Sequence, residues 1–237
     1  MRKIDVCLSP DLVHLYDLTD TAVVVVDIFR ATSCMVTAFA HGASEILPVE
    51  DIDFCLSQKN NGYLISAERN GITPEGFDFD NSPFSYQVEK VKNAKICVTT
   101  TNGTVALRRA EKAPLLMVGA FLNVSMVVKA LKAWKGNALV LCAGWKGKPN
   151  LEDTLFAGCV IDELHGQYIV ADDAALMAWQ NYNIASKDLQ TAVKNSSHVN
   201  RLLKLGIEKD IAFCLEKDKY SVLPIWQENA LRLGSLK

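Results

Sequence analysis

The chain has 237 residues, 49% hydrophobic and 22% charged, with a net charge of −2 from 25 basic and 27 acidic side chains. A chain of this length buries about 70% of its unfolded surface and needs no staple to hold a core. Near-neutral charge excludes a nucleic-acid binder that works through a broad basic face. No apolar run reaches the roughly 18 residues of a membrane span, so no membrane partner is expected.

Taken in chain order, strand signals alternate with helix signals. TAVVVVD (21–27) leads into TSCMVTAFAHG (32–42), then into the short strand SEILPVE (44–50). AKICVTT (94–100) precedes TVALRRAEKA, LLMVGAF (115–121) precedes NVSMVVKALKAW, and NALVLCAG (137–144) precedes LEDTLFAGCVIDELHG. Each unit is an apolar run, a polar or glycine-containing turn, and an apolar pattern at helical spacing. From 172 to 219 the pattern is helical, and YSVLPIW (220–226) reads as one last strand. The expected fold class is α/β: a layered, largely parallel or mixed sheet with helices on both faces and a helical C-terminal part. No linker composition divides it, so residues 1–237 are read as one domain, with 172–219 open to being a helical subdomain.

The seven cysteines form no C-x-x-C pair, and several sit in apolar runs, so they read as core residues of a reducing cytosol rather than as a framework. The basic start MRKIDVCLSP is not followed by a long apolar run, which argues against a signal peptide and for a cytoplasmic location. Cys142 lies six residues before Lys148, a spacing near that of a cysteine-phosphatase loop. Lysine lacks the required bidentate fork, and Cys142 ends an apolar strand, so it too reads as core. The four histidines show no metal-ligand spacing.

Loops leaving the carboxyl ends of parallel strands gather where ligands bind. Those loops carry Asp27 and Arg30 in DIFRATS, Thr101, Asn102, Gly103 and Thr104 in TTTNGT, Lys146 in AGWKGKPN, and Glu152 and Asp153 in NLEDT. Asp27 and Arg30 can be a plain ion pair, or an acid that binds metal or protons beside a guanidinium that grips an anionic oxygen. TTTNGT can offer backbone amides to phosphate at a helix start, or simply turn and cap. Glu152 and Asp153 suit the first turn of a helix whose N-cap is Asn150, and equally a hard cation. AERNGITPEGFDFDNSPF (67–84) is a long polar loop holding Glu68, Arg69, Asp78, Asp80 and Asn81. Turn chemistry at Asn70-Gly71 and Asn81-Ser82-Pro83 accounts for part of it, but not for Glu68-Arg69.

DIFRATSCMVTAFAHGA, AERNG…EGFDFDNSP, TTTNGTVAL, GAFLNVS and CAGWKG…LEDTLFAG occur in the order found in the 2-phosphosulfolactate phosphatase family, the ComB proteins, which the chain resembles over almost its whole length. The resemblance implies a ComB-like α/β fold and Mg²⁺-dependent hydrolysis of 2-phosphosulfolactate to 3-sulfolactate and phosphate, a step of coenzyme M biosynthesis. It implies a small anionic phosphorylated substrate, or a similar phosphorylated hydroxy-acid, and leaves a homo-oligomer open. On this reading Mg²⁺ sits on Asp27 and some of Glu68, Glu152 and Asp153. Arg30, Arg69, Asn81, Lys146 and the Thr101–Thr104 loop hold the substrate, and Asp27, Arg30, Glu68 and Arg69 are catalytic, with Glu68 moving a proton. The alternatives are a lyase or isomerase acting on a phosphorylated hydroxy-acid, and a non-catalytic binder of small anions.

Overall fold

Whether polar strand-end loops can meet depends on strand order, which a computed structural model of the protein supplies. It describes residues 1–69 and 72–234; the expected Asn70-Gly71 turn lies outside them. The strands are β1 Lys3–Cys7, β2 Thr21–Val26, β3 Glu45–Pro48, β4 Leu64–Ala67, β5 Lys95–Thr99, β6 Leu115–Gly119, β7 Asn137–Cys142, β8 Ile169–Val170, β9 Pro224–Gln227 and β10 Ala230–Leu233. They form one sheet in the order β4-β5-β3-β10-β9-β6-β2-β7-β1-β8.

The valine run is the centre of the larger block. β2 pairs in parallel with β6 on one side and β7 on the other, Val23 facing Leu116 and Leu139, and every residue of β2 is buried. Branched side chains buried on both faces suit such a strand. β7 continues in parallel to β1 and β1 to β8. A second parallel block is β3, β5 and β4.

Between the blocks lies the hairpin β9–β10, antiparallel within itself, to β6 and to β3. Its two-residue loop is Glu228-Asn229, with φ of 50° and 67°, as a primed hairpin turn requires. The sequence reading expected one strand there. The second was hidden because Glu-Asn stands where Asn-Gly would have announced the turn. β1, β4 and β8 are likewise additions to the expected strands.

The helices are α1 Ala31–Ala40, α2 Ile52–Ser57, α3 Gly103–Arg109, α4 Val124–Ala133, α5 Leu151–Glu163, α6 Asp173–Ala185, α7 Leu189–Val193, α8 Ser197–Leu203 and α9 Glu208–Cys214. α1 ends as its sequence suggests, with His41 at the C-cap and Gly42 left-handed at φ +92°. α6 packs on α5 and β1, and a Cβ at Gly158 would lie 2.1 Å from the Ala178 carbonyl oxygen, so glycine alone permits that approach. A main core runs from Ile4 to Leu231, and a smaller cluster of Val49, Cys55, Ile65 and Cys97 lies under β4 and β5. No described helix is long and apolar enough to cross a membrane.

Three antiparallel pairings separate β3 from β6, so the two parallel blocks run in opposite senses along the hydrogen-bonded path. Their carboxyl ends would lie on opposite edges of a flat sheet. Sheets twist, typically by about 20–25° per strand, and five steps separate β2 from β5. α3, which leaves β5, consequently packs on β2 and on α1.

Candidate active site

The end of β2 is fastened before any functional group is placed. Thr32 Oγ1 accepts from the Asp27 amide and donates to the Asp27 carbonyl, both at 2.9 Å, and Ser33 Oγ donates to the Ile28 carbonyl at 2.9 Å. From behind, Asp153 accepts the Ile28 amide on one oxygen at 2.9 Å and the Gly144 amide on the other at 3.1 Å. One buried carboxylate thus ties the ends of β2 and β7 together. With its backbone fixed, the Asp27 carboxylate accepts from the Ala31 amide, the first of α1, where the helix end favours negative charge.

The second block brings its own loops. After β5, Thr104 Oγ1 donates to the Thr100 carbonyl at 2.9 Å and faces the Thr100 amide, so the turn is clasped. α3 then starts against α1: a Cβ on Gly103 would lie 2.7 Å from Ala31 Cβ and 3.0 Å from Asp27 Oδ2. Only glycine lets the TTTNGT turn come this close. After β4, the Glu68 amide donates to the Thr99 carbonyl at 3.2 Å, and Thr101 Oγ1 donates to Glu68 Oε2 at 3.3 Å. Asp27, Glu68, Asn81 and the Thr100–Asn102 turn therefore line one cleft.

The C-terminal helices complete it. Ser196 caps α8, its Oγ accepting from the Val199 amide at 3.1 Å. His198, Arg201 and Leu202 then fall on one helical face, and all three line the cleft, as does Leu205 just beyond. His198 Nδ1 bonds the buried Glu152 Oε1, leaving Nε2 as the other ring nitrogen, and the His198 ring meets Phe29 edge-on. The Arg201 guanidinium lies 4.1 Å from the centre of the Trp145 ring. α9 contributes Asp210, which pairs with the buried guanidinium of Arg30 and accepts from Ser82 Oγ at 3.1 Å.

The cleft is crowded with negative charge. Burial, countered by His198 and reinforced by Glu68 and Glu152, pushes Asp27 up to about 6. Burial, then Glu152 and Asp27, drives Asp153 well above the usual carboxylate range. Glu152 Oε2 is buried with no hydrogen-bond partner among the described residues. An unpartnered buried carboxylate oxygen close to further acids is a place where added positive charge would be stabilised. Among the described residues no three acids, histidines or cysteines form a metal cage. Two carboxylates, Asp27 and Glu68, line the cleft itself, and a hard cation such as Mg²⁺ needs no more than one or two, the rest of its shell being water and phosphate.

Of the residues singled out in the sequence, Asp27, Arg30, Glu68, Asn81, Thr101 and Asn102 line the cleft. Gly103 and Thr104 shape its wall. Arg30 is partnered by Asp210, not by Asp27. Arg69 does not line the cleft: its guanidinium donates to the Glu68 and Glu50 carbonyls and to Thr99 Oγ1. Lys146, at φ +50° in the Trp145–Lys148 turn, borders a neighbouring hollow with Thr101 and Asn102. Glu152 and Asp153 stand behind the cleft, Asp153 with both oxygens occupied. The sequence reading set His198 aside and did not single out Arg201, Trp145 or Asp210. The spacing in HVNRLLKL was the available signal for the first two. Cys142 is buried at the end of β7 with its thiol pushed far up by burial, as a core residue should be.

Comparison with known proteins gives the chain's relatives. The family model for 2-phosphosulpholactate phosphatase matches residues 7–229. A protein of Thermotoga petrophila named "Probable 2-phosphosulfolactate phosphatase" is 40% identical over 201 residues, covering 85% of this chain and 87% of its own. Proteins of the same name from Caldanaerobacter subterraneus and Clostridium tetani are 36% and 32% identical, covering 91% and 97% of this chain and 92% and 100% of theirs.

Proposed function

The chain belongs to the 2-phosphosulfolactate phosphatase family, and from that premise we propose that it is a phosphoric monoester hydrolase converting 2-phosphosulfolactate to 3-sulfolactate and phosphate with Mg²⁺. The observation that carries this reading is the meeting, in one cleft, of Asp27, Glu68, Arg30 and the Thr100–Asn102 turn from oppositely directed halves of the sheet.

Asp27 and Glu68, the two carboxylates that line the cleft, would hold the cation. Bound there, it would neutralise phosphoryl oxygens and lower the pKa of water. Arg30, the Thr100 hydroxyl and the amides of Thr101 to Gly103 would take the remaining phosphoryl oxygens, the Thr100 amide being held by Thr104 and the Thr101 hydroxyl by Glu68. Phosphoryl transfer depends on this positioning and charge compensation more than on covalent chemistry. The Arg30–Asp210 pair keeps the guanidinium in place when no substrate is there. His198, its Nδ1 committed to Glu152, would donate a proton from Nε2 to the leaving alkoxide oxygen as the P–O bond breaks, while Glu68 takes one from the attacking water. Glu68 orients water through the same corner that Thr101 occupies.

Phosphate release from 2-phosphosulfolactate, followed together with 3-sulfolactate by ³¹P and ¹H NMR in Mg²⁺ and in chelator, tests the proposal. Equimolar phosphate and 3-sulfolactate, lost on chelation and restored by Mg²⁺, are expected. A product that keeps its phosphorus would assign the chain to a lyase or isomerase. Undiminished turnover after exhaustive chelation would remove the metal from the scheme.

A further inference from the structure

Two guanidinium groups line the cleft, and the structure treats them differently. Arg30 is buried and already paired with Asp210. Arg201 is half-buried, stacked on Trp145 at 4.1 Å, and among the described residues forms no ion pair, although Asp27, Glu68 and Glu152 lie within electrostatic reach. Leu202 and Leu205 line the same cleft, and around Trp145 and Arg201 stand Asn150, Ser197 and His198. The cleft is thus built from two sources: strand-end loops give Asp27, Arg30 and the Thr100–Asn102 turn, while α8 and the chain around it give Arg201, Leu202 and Leu205 beside Trp145 of the β7–α5 loop.

We propose that Arg201, held against Trp145, is a specificity-determining residue that binds the sulfonate of the substrate, while the phosphoryl group lies among Asp27, Arg30 and Thr101. The assignment rests on the phosphatase reading above and says which part of the substrate goes where. The phosphoryl dianion needs the cation and the dense hydrogen-bond donors of the strand-end loops. A sulfonate spreads one charge over three oxygens and is weakly hydrated, so it loses least on entering a wall of indole and leucine. A guanidinium is also the more weakly hydrated of the two basic side chains and offers paired donors to a trigonal face of oxygens. Contact with the Trp145 ring restrains the guanidinium in advance, which lowers the ordering cost of binding. The carboxylate of the substrate is left to the side-chain amides of Asn81 and Asn102, which line the same cleft.

The test compares 2-phosphosulfolactate with 2-phospholactate, which keeps the phosphate and carboxylate and lacks the sulfonate. Arg201→Met should lower kcat/KM on 2-phosphosulfolactate by about 10- to 150-fold, the worth of a hydrogen-bonded ionic contact, chiefly through KM. On 2-phospholactate the change should stay below about threefold, and inhibition by inorganic phosphate should be unaltered. Arg201→Lys, which preserves charge and stem, should recover part of the loss. Equal losses on both substrates would overturn the assignment by placing Arg201 on the phosphoryl or carboxylate group, and no loss on either would overturn it as well. Should the wild-type protein release phosphate from neither compound, the phosphatase reading falls. Calorimetry with 3-sulfolactate then decides the sulfonate site separately: weaker binding by Arg201→Met upholds it, and equal binding refutes it.

Discussion

Arg30 shows how a residue legible in the sequence can still have an unforeseen partner. Its place after a buried strand marked it as unusual, and Asp27 was the neighbour at hand, but the carboxylate that pairs with it is Asp210, 180 residues away. Arg30→Lys separates that pairing from any contact with substrate. Lysine keeps the charge that Asp210 needs, so the melting temperature should move by only a few degrees, about 2–4 °C for each kcal/mol in a chain this size. It cannot reproduce two parallel donors, so kcat/KM should fall by about 30- to 1,000-fold, or ~2–4 kcal/mol of transition-state stabilisation. Parallel measurement of melting and of kcat/KM checks this, and near-native turnover would confine Arg30 to its pairing with Asp210. Arg69 illustrates the opposite limit. Next to Glu68 in sequence, it looks like part of the same site, yet carbonyls at the ends of the two parallel strands claim its donors. Sequence adjacency says nothing about which way a side chain leaves a strand end.

At the level of elements, the alternation of strand and helix was readable because period 2 and period 3.6 leave different marks. The sense of the strands was not. Parallel blocks pointing in opposite directions produce the same local pattern as one continuous parallel sheet, and the difference is carried by the hairpin β9–β10. Its attachment to β3 is reinforced by side chains: Glu45 accepts from Arg232 at 2.7 Å and from Tyr63 Oη at 2.5 Å. Burial alone would push Glu45 up, but the Tyr63 and Arg232 contacts together hold it below the usual glutamate range. A carboxylate so lowered stabilises the fold above its unfolded pKa, and this contribution disappears as pH falls through the folded value. Arg232→Met should accordingly melt below the wild type at pH 7, with the gap closing on the acid side of the ordinary glutamate range. Melting temperature followed against pH checks this, and a gap that stays constant into acid would mean the contact contributes nothing through its charge.

Over the whole molecule, the seven cysteines offer the simplest comparison of sequence with structure. An odd number without paired spacing pointed to core packing, and all seven are free and buried, in both hydrophobic clusters. Burial raises most of those thiols, which suppresses the thiolate that a disulfide reagent needs. Native protein should therefore react with Ellman's reagent far more slowly than protein in guanidinium chloride, where all seven thiols should titrate. Rapid reaction of one thiol in the native state would reveal a site that opens. The composition of the cleft was only partly legible at this scale. The 172–219 stretch reads as helical and open to being a subdomain, and nothing in its pattern announces that α8 and α9 supply His198, Arg201 and Asp210 to a site whose other half comes from strand ends. Such contributions depend on long-range docking, which leaves no periodic trace.

The hairpin also sets an order of events for a chain made on a ribosome. β9 and β10 come from residues 224–233, translated after every other strand, yet they occupy the middle of the sheet. While translation proceeds at about 5–20 residues per second, β3 can already pair with β5, and β6 with β2. Each half then presents one bare strand edge, LLMVG on one side and EILP on the other, of the kind that recruits foreign strands. Until β9 and β10 emerge, the two parallel blocks can form only as separate sheets with open flanks, and this hairpin is the piece that joins them.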